Sequence, residues 1–207
     1  MELIRNEIEP LLRKNTARAL DIGCAQGDTG CWLKEQKFAS FVAGIEIDET
    51  LATTAKKKLD QVLTCDVESS ELPFAPASFD LVLCLDVLEH LRDPWSALKK
   101  LREQLSPEGE LVTSIPNVRN FRVILPLLLK GSWEYQDSGL LDRTHLRFFT
   151  KKSALRLVEE AGFEIQEVRT TGARFGGFSF FANILTLGLM KDIFVLQYLI
   201  RAKPKKA

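Results

Sequence analysis

The chain has 207 residues, 45% of them hydrophobic, and carries 28 Lys and Arg against 28 Asp and Glu, a formal net charge of zero at pH 7. That length fits one domain with a substantial core, and the charge balance argues against a surface built to collect nucleic acid. The four cysteines, Cys24, Cys31, Cys65 and Cys84, show neither CxxC pairing nor metal-ligand spacing, so reduced thiols in a cytoplasmic protein are expected.

In chain order, "MELIRNEIEPLLRK" is charged throughout, unlike a signal peptide. It reads as a short amphipathic helix with Ile4, Ile8, Leu11 and Leu12 on one face. Short apolar runs then predict strands over 18–22, 41–45, 61–65, 80–85 and 110–115, alternating with helices over 29–36, 50–59 and 94–105. Asp93 and Pro94 suit the cap and first position of the third helix, and "SPEGE" is expected to break the chain before the fifth strand. "NFRVILPLLLKGSW" reads as a very apolar helix with a proline inside it, and "KKSALRLVEEAGF" as an amphipathic helix ending at Gly162. "FEIQEVR" and "FVLQYLIRA" supply two late strands. Between these, 175–190 carries no charge. It is shorter than the ~20 residues of a membrane span, so a buried helix is expected, with peripheral membrane contact as the other reading. The tail "RAKPKKA" reads as a solvated end. Apolar strands alternating with helices imply an α/β fold, a parallel sheet of about seven strands covered on both faces.

The turn "ALDIGCAQGDTG" follows the first strand, where open parallel sheets bind ligands. Its spacing, Gly23-x-x-x-Gly27, departs from the GxGxxG of dinucleotide sites, and Asp21 at the strand end would repel a pyrophosphate. Glu46, just beyond the second strand, is placed to accept from two ribose hydroxyls, with Asp48 as the nearby alternative; Asp66, after the third strand, can accept from an adenine amino group. Acids on three consecutive strand ends suit a cationic adenosine compound better than NAD.

With these residues, "ALDIGCAQG", "GIEID", "CDVESSELPFAPASFDLVLCLDVLEHL" and "LSPEGELVTSIPN", in this order, the chain resembles the class I S-adenosylmethionine-dependent methyltransferases. The later "GSWEYQDSGLLDRTHLRFFTKKSALRLVEEAGFE" is similar to a bacterial methyltransferase-like subgroup of unknown substrate. The resemblance implies a Rossmann-like seven-stranded sheet, mostly parallel with the last strand antiparallel. The whole chain, 1–207, would be one domain, with 116–150 a flap on the substrate side. Asp21, Gly23, Ala25 and Gly27 would contact the methionine portion of S-adenosylmethionine, Glu46 the ribose, Ile47 the adenine face, Asp66 and Val67 the adenine edge, and Leu85 would lie under the cofactor. Ala25 stands where many relatives have glycine.

The chain has two histidines, His90 in "DVLEHL" and His145 in "LDRTHLRFF". A helical turn at the first motif would put Asp86, Glu89 and His90 on one face. With His145 they could bind one divalent metal ion, similar to the site of certain sugar-hydroxyl and catechol O-methyltransferases. His145 as general base without metal, helped by His90 and Glu89, is the other reading. Arg147 and Arg143 could hold an anionic substrate group, and Trp133 and Tyr135 an apolar or aromatic one. The absence of an Asn/Asp-Pro-Pro-aromatic run and of a Pro-Cys nucleophile favours oxygen as acceptor. A small-molecule, sugar or lipid-linked acceptor is expected rather than nucleic acid. A homodimer and membrane association remain open, and a catalytically silent S-adenosylmethionine-binding module is the alternative function.

Overall fold

The computed structural model describes residues 4–172 and 191–205; the expected charge-free helix at 175–190 lies outside them. Among the described residues seven strands form one sheet: β1 (Thr16–Ile22), β2 (Ala39–Glu46), β3 (Gln61–Thr64), β4 (Phe79–Leu85), β5 (Leu105–Pro116), β6 (Phe163–Thr171) and β7 (Gln197–Pro204). Their order is β3-β2-β1-β4-β5-β7-β6. The first five are parallel, and β7 runs antiparallel to both β5 and β6. This is the Rossmann-like arrangement expected, with the last strand reversed. The chain leaves β1 for β2 on one side and reaches β4 on the other, so the carboxyl ends of β1 and β4 flank a switch point, where a crevice opens.

Alternation along each strand makes the two cores. Leu20 and Ile22 of β1, with Val82 and Cys84 of β4, pack under α3 (Pro94–Gln104) and α5 (Lys151–Glu160) through Leu98, Leu101, Leu157 and Val158. Ala19, Leu81, Leu83 and Leu85 face the other way, against Trp32 and Leu33 of α1 (Asp28–Glu35). Truncating a buried leucine such as Leu98 to alanine would cost about 2–5 kcal/mol.

Side chains cap the helices where the sequence suggests. Asp93 Oδ1 accepts from Ser96 N at 3.0 Å, with Pro94 in the first turn of α3. Thr150 and Ser153 form a capping box at α5. Asp48 caps α2 (Glu49–Ala55), its Oδ1 accepting from Leu51 N, so it does not stand in for Glu46. α4 (Phe121–Lys130) continues through Pro126 and ends on Gly131 at φ +64.

Three local expectations are corrected. The N-terminal helix is a 3-10 turn, Asn6–Leu11, because Pro10 removes a helical donor; Ile8 and Leu11 are buried while Ile4 is exposed. The break at "SPEGE" is absorbed into β5, which pairs with β4 from Leu105 onward with a register shift between Phe79 and Leu81. The turn after β4 is not a helix from Asp86: that residue takes φ +53, and a 3-10 turn covers Leu88–His90.

Candidate functional site

At the carboxyl ends of β1, β2, β3 and β4 lies a cavity of about 680 Å³, walled by Gly23, Glu46, Ile47, Asp66, Val67, Val87 and His90, among others. Gly23 leaves β1 at φ +66, and a Cβ there would sit 2.6 Å from Val87 Cγ2, so only glycine fits. Gly27 takes φ +78 at the start of α1. Between them Ala25 adopts φ +46, the left-handed region that favours glycine.

The acids at the strand tips differ in state. Glu46 is oriented by two amides: Oε2 accepts from Ala25 N and Oε1 from Asp48 N, both at 2.9 Å. Each oxygen keeps a lone pair for a ligand hydroxyl. Asp66 accepts from Glu68 N and Ser69 Oγ, and the first of these bonds leads in holding its carboxyl below the usual range. Asp21 is only 3% exposed, and its Oδ2 has no hydrogen-bond partner. Burial, then the nearby Glu46 charge, push its carboxyl up to about 7, partly offset by Arg5. A buried carboxylate oxygen without a donor is a place for a cationic ligand group.

A second cavity of about 540 Å³ adjoins the first. Arg122 and Val123 of α4, Gln136, Leu140, Leu141, Asp142, His145 and Gln197 are among its walls. Asp86 and His90 line both cavities, so the two meet at the end of β4. The loop carrying His145 is tied to the 3-10 turn by Leu146 N and Arg147 N, which both donate to the Glu89 carbonyl at 2.8 and 2.9 Å.

Hydrogen bonds assign both imidazoles. Thr144 Oγ1 donates to Asp142 Oδ1 at 2.6 Å, so toward His90 Nδ1, 3.0 Å away, it can only accept. The Thr144 carbonyl also faces that nitrogen. His145 Nδ1 faces the Leu140 carbonyl at 3.3 Å. Both rings therefore carry a proton on Nδ1, the tautomer whose neutral form has its lone pair on Nε2. The rings stack edge to face, 4.7 Å between centroids. Beneath them Glu89 is 1% exposed, and neither carboxylate oxygen has a hydrogen-bond partner. Burial, then Asp86, hold its carboxyl well above the usual range. Burial, then His90, hold the His145 imidazole below its ordinary value.

Residues 2–168 match the family model described as "Methyltransferase domain". The chain belongs to the methyltransferase domain family. It is 26% identical over 176 residues to a ubiquinone biosynthesis O-methyltransferase of Coxiella burnetii, covering 78% of this chain and 73% of that one. It is 31% identical over 178 residues to a demethylmenaquinone methyltransferase of Staphylococcus aureus, covering 77% and 72%. A crystal structure of an S-adenosylmethionine-dependent methyltransferase from Mesorhizobium loti has the same fold, with TM-score 0.66, 19% identity and coverage of 95% of each chain. S-adenosylmethionine is the cofactor of this methyltransferase. The first cavity fits it: Glu46, fixed by two amides, keeps a lone pair on each oxygen for ribose hydroxyls, and the glycine turn lets the backbone approach.

Of the residues singled out in the sequence, Gly23, Glu46, Ile47, Asp66 and Val67 line the first cavity, while Asp21 and Leu85 are buried beside it. Glu89, His90 and His145 come together; Asp86 does not join them. It is held by Arg5 Nη1 at 2.6 Å, Ser114 Oγ at 2.6 Å and Gln197 Nε2 at 2.8 Å. None of the four substrate candidates is among the residues that wall the second cavity. Arg143 pairs with the exposed Asp137. Arg147 donates to the Arg92 carbonyl over Trp95. Trp133 and Tyr135 pack on Phe148. Sequence reasoning missed Arg5, Lys100, Asp142 and Thr144; only the last two carried a signal, the Asp-x-Thr spacing of a turn.

Proposed function

We propose that this methyltransferase moves a methyl group from S-adenosylmethionine to an oxygen of a small, partly apolar acceptor held in the second cavity. The observation that carries the reading is the junction at Asp86 and His90, where cofactor and acceptor cavities share a wall. Cofactor held in the first cavity would face an acceptor in the second across this shared wall. In the transfer, an acceptor oxygen lone pair forms the O–C bond and the C–S pair returns to sulfur. The sulfonium becomes a neutral thioether, and the hydroxyl proton leaves to solvent. The cofactor supplies the activated methyl; this chain's part is to align donor and acceptor, an effect worth about 7–11 kcal/mol where geometry is tight.

An acceptor with an aromatic head and an apolar tail is favoured, supported by the quinone-biosynthesis names of the relatives. Residues 116–150 act as the substrate-side flap. α4 within it presents Leu125, Leu128 and Leu129 to solvent, the last two 74% and 77% exposed. Arg119, Arg122 and Lys130 accompany them, with no acid between 117 and 133, a composition suited to a lipid surface. Among the described residues, no helix is long and apolar enough to cross a membrane. The test is mass spectrometry of products formed with S-adenosylmethionine and dihydroxybenzoate-type acceptors with and without polyprenyl tails. Methyl ethers are expected. Binding of S-adenosylmethionine with no transfer to any acceptor would favour a silent binding module.

A further inference from the structure

The second cavity carries a positive charge that the protein leaves unanswered. Among the described residues, Arg122 is the one Lys or Arg on its walls. The Arg122 guanidinium has no hydrogen bond or ion pair among those residues; its neighbour is the Phe121 ring, 5.9 Å from Cζ to the centroid. The ionised acids nearby on the walls are already engaged. Asp86 is held by Arg5, Ser114 and Gln197. Asp142 Oδ1 accepts from Thr144 N and Oγ1, at 2.8 and 2.6 Å, and forms no ion pair with Arg122. Arg122 is exposed as well as part of the wall, so this free charge stands at the cavity's mouth.

The backbone fixes where that side chain starts. Asn120 is 1% exposed; its Nδ2 donates to the Val195 carbonyl at 2.9 Å, and its Oδ1 accepts from Arg122 N at 3.1 Å. Val123, next in the chain, is buried and walls the same cavity. Arg122 is thus rooted from both sides. Gln136 adds a second donor to the walls, with no side-chain hydrogen bond among the described residues. The opposite need is met in the same cavity by Glu89, almost wholly buried, neither of whose oxygens meets a donor. Donors without acceptors and acceptors without donors, in one cavity, describe a ligand that carries both an anion and a hydroxyl.

We propose that the second cavity takes a hydroxylated aromatic carboxylate, with Arg122 paired to its carboxylate. A guanidinium meets a carboxylate in two parallel hydrogen bonds and matches its single charge; a phosphate monoester, at about −1.5 to −2, would keep charge that no second cation on the walls answers. Val123, Leu140 and Leu141 supply apolar walls for the ring. Arg122 walls the second cavity and not the first, so its partner is not the methionine carboxylate of the cofactor. The anionic group that the sequence assigns to Arg143 and Arg147 passes to Arg122, because Asp137 and the Arg92 carbonyl occupy those two. That this ligand is the methyl acceptor rests on the reading above; that it binds at Arg122 does not.

The test is calorimetric titration of the full-length protein, saturated with S-adenosylhomocysteine, with a dihydroxybenzoate and with its methyl ester, followed by methyl-transfer kinetics on both. The wild type should bind the acid about ten- to a hundredfold more tightly than the ester, the range of a charge-assisted pair, and the preference should lie in KM rather than kcat. Arg122→Gln should bring acid and ester to nearly equal affinity, and Arg122→Lys should restore part of the preference. S-adenosylhomocysteine affinity equal to that of the wild type shows that each variant is folded. No binding of the acid, equal affinity for acid and ester in the wild type, or an acid preference that survives in folded Arg122→Gln would overturn the subsite. An acid preference that depends on Arg122, with no transfer to either compound, would uphold the subsite and remove the acceptor reading; transfer to the ester as readily as to the acid would do the reverse.

Discussion

Arg5 and Asp86, 81 residues apart, are joined by a charged hydrogen bond of 2.6 Å from Nη1 to Oδ2. The same guanidinium reaches Ser114 Oγ and Gln197 Oε1, at 3.3 and 3.5 Å, and its main-chain N–H donates to Thr29 Oγ1. A single side chain thus ties the N-terminal 3-10 turn to the ends of β4, β5 and β7 and holds the carboxylate of Asp86, a residue at φ +53. Arg5→Ala should lower stability by about 1–3 kcal/mol, the scale of a hydrogen bond to a charged group, measured by urea unfolding. Arg5→Lys should recover only part of it, because an ammonium cannot reproduce the fork.

Asp21 should make cofactor affinity depend on pH. Its folded carboxyl titrates at about 7, raised chiefly by burial and then by Glu46, against an ordinary value near 3.8. Below pH 7 the neutral acid gives up its attraction for a cationic ligand, so S-adenosylmethionine affinity should fall as pH drops through 7. Stability of the ligand-free protein runs the same way in proton terms but opposite in sign. Between pH 4 and 7 the folded form holds a proton the unfolded chain has lost, so this group's contribution is greatest in acid and is lost as pH rises to about 7. Asp21→Asn should flatten both dependences, read by calorimetry and thermal melting across that range.

Lys100 holds the loop after β3, which forms one wall of the first cavity. Its Nζ donates to the carbonyls of Val67, Glu68 and Ser70, each at 2.9 Å. Lys100→Met should weaken S-adenosylmethionine binding about tenfold, with KM for the acceptor unchanged. Lys100→Arg should not restore it, since a planar guanidinium cannot meet three carbonyls converging on a point.

The exposed face of α4 gives a prediction with little stability content. Leu128→Ser and Leu129→Ser change solvent-facing side chains, so folding free energy should move by less than about 0.5 kcal/mol. Co-sedimentation with vesicles containing phosphatidylglycerol should fall, and KM should rise for a tailed acceptor but not for its tailless analogue. Unchanged sedimentation and KM would leave this face without the proposed role.

Legibility in the sequence followed the range of the interactions. β1, β2 and β4 were visible because two-sided burial writes continuous apolar runs, and α3 because Asp93 and Pro94 mark its start locally. Gly23, Glu46 and Asp66 were readable because each stands at or just past the carboxyl end of a strand. Asp86 was misplaced because its partners, Arg5, Ser114 and Gln197, come from three distant segments that no local spacing reports. Arg143 and Arg147 look like anion ligands as residue types, yet one pairs with Asp137 and the other meets a carbonyl of the β4–α3 connection. The tautomer of His90 depended on Thr144 and Asp142 folding back across the 3-10 turn, a tertiary contact.

The most direct test of the account is a crystal structure with S-adenosylhomocysteine bound. The account predicts the ribose hydroxyls on Glu46, the adenine edge at Asp66, the amino group beside Asp21 Oδ2 and the sulfur at the wall formed by Asp86 and His90. A nucleoside lodged in the second cavity, or a sulfur turned away from that wall, would contradict it.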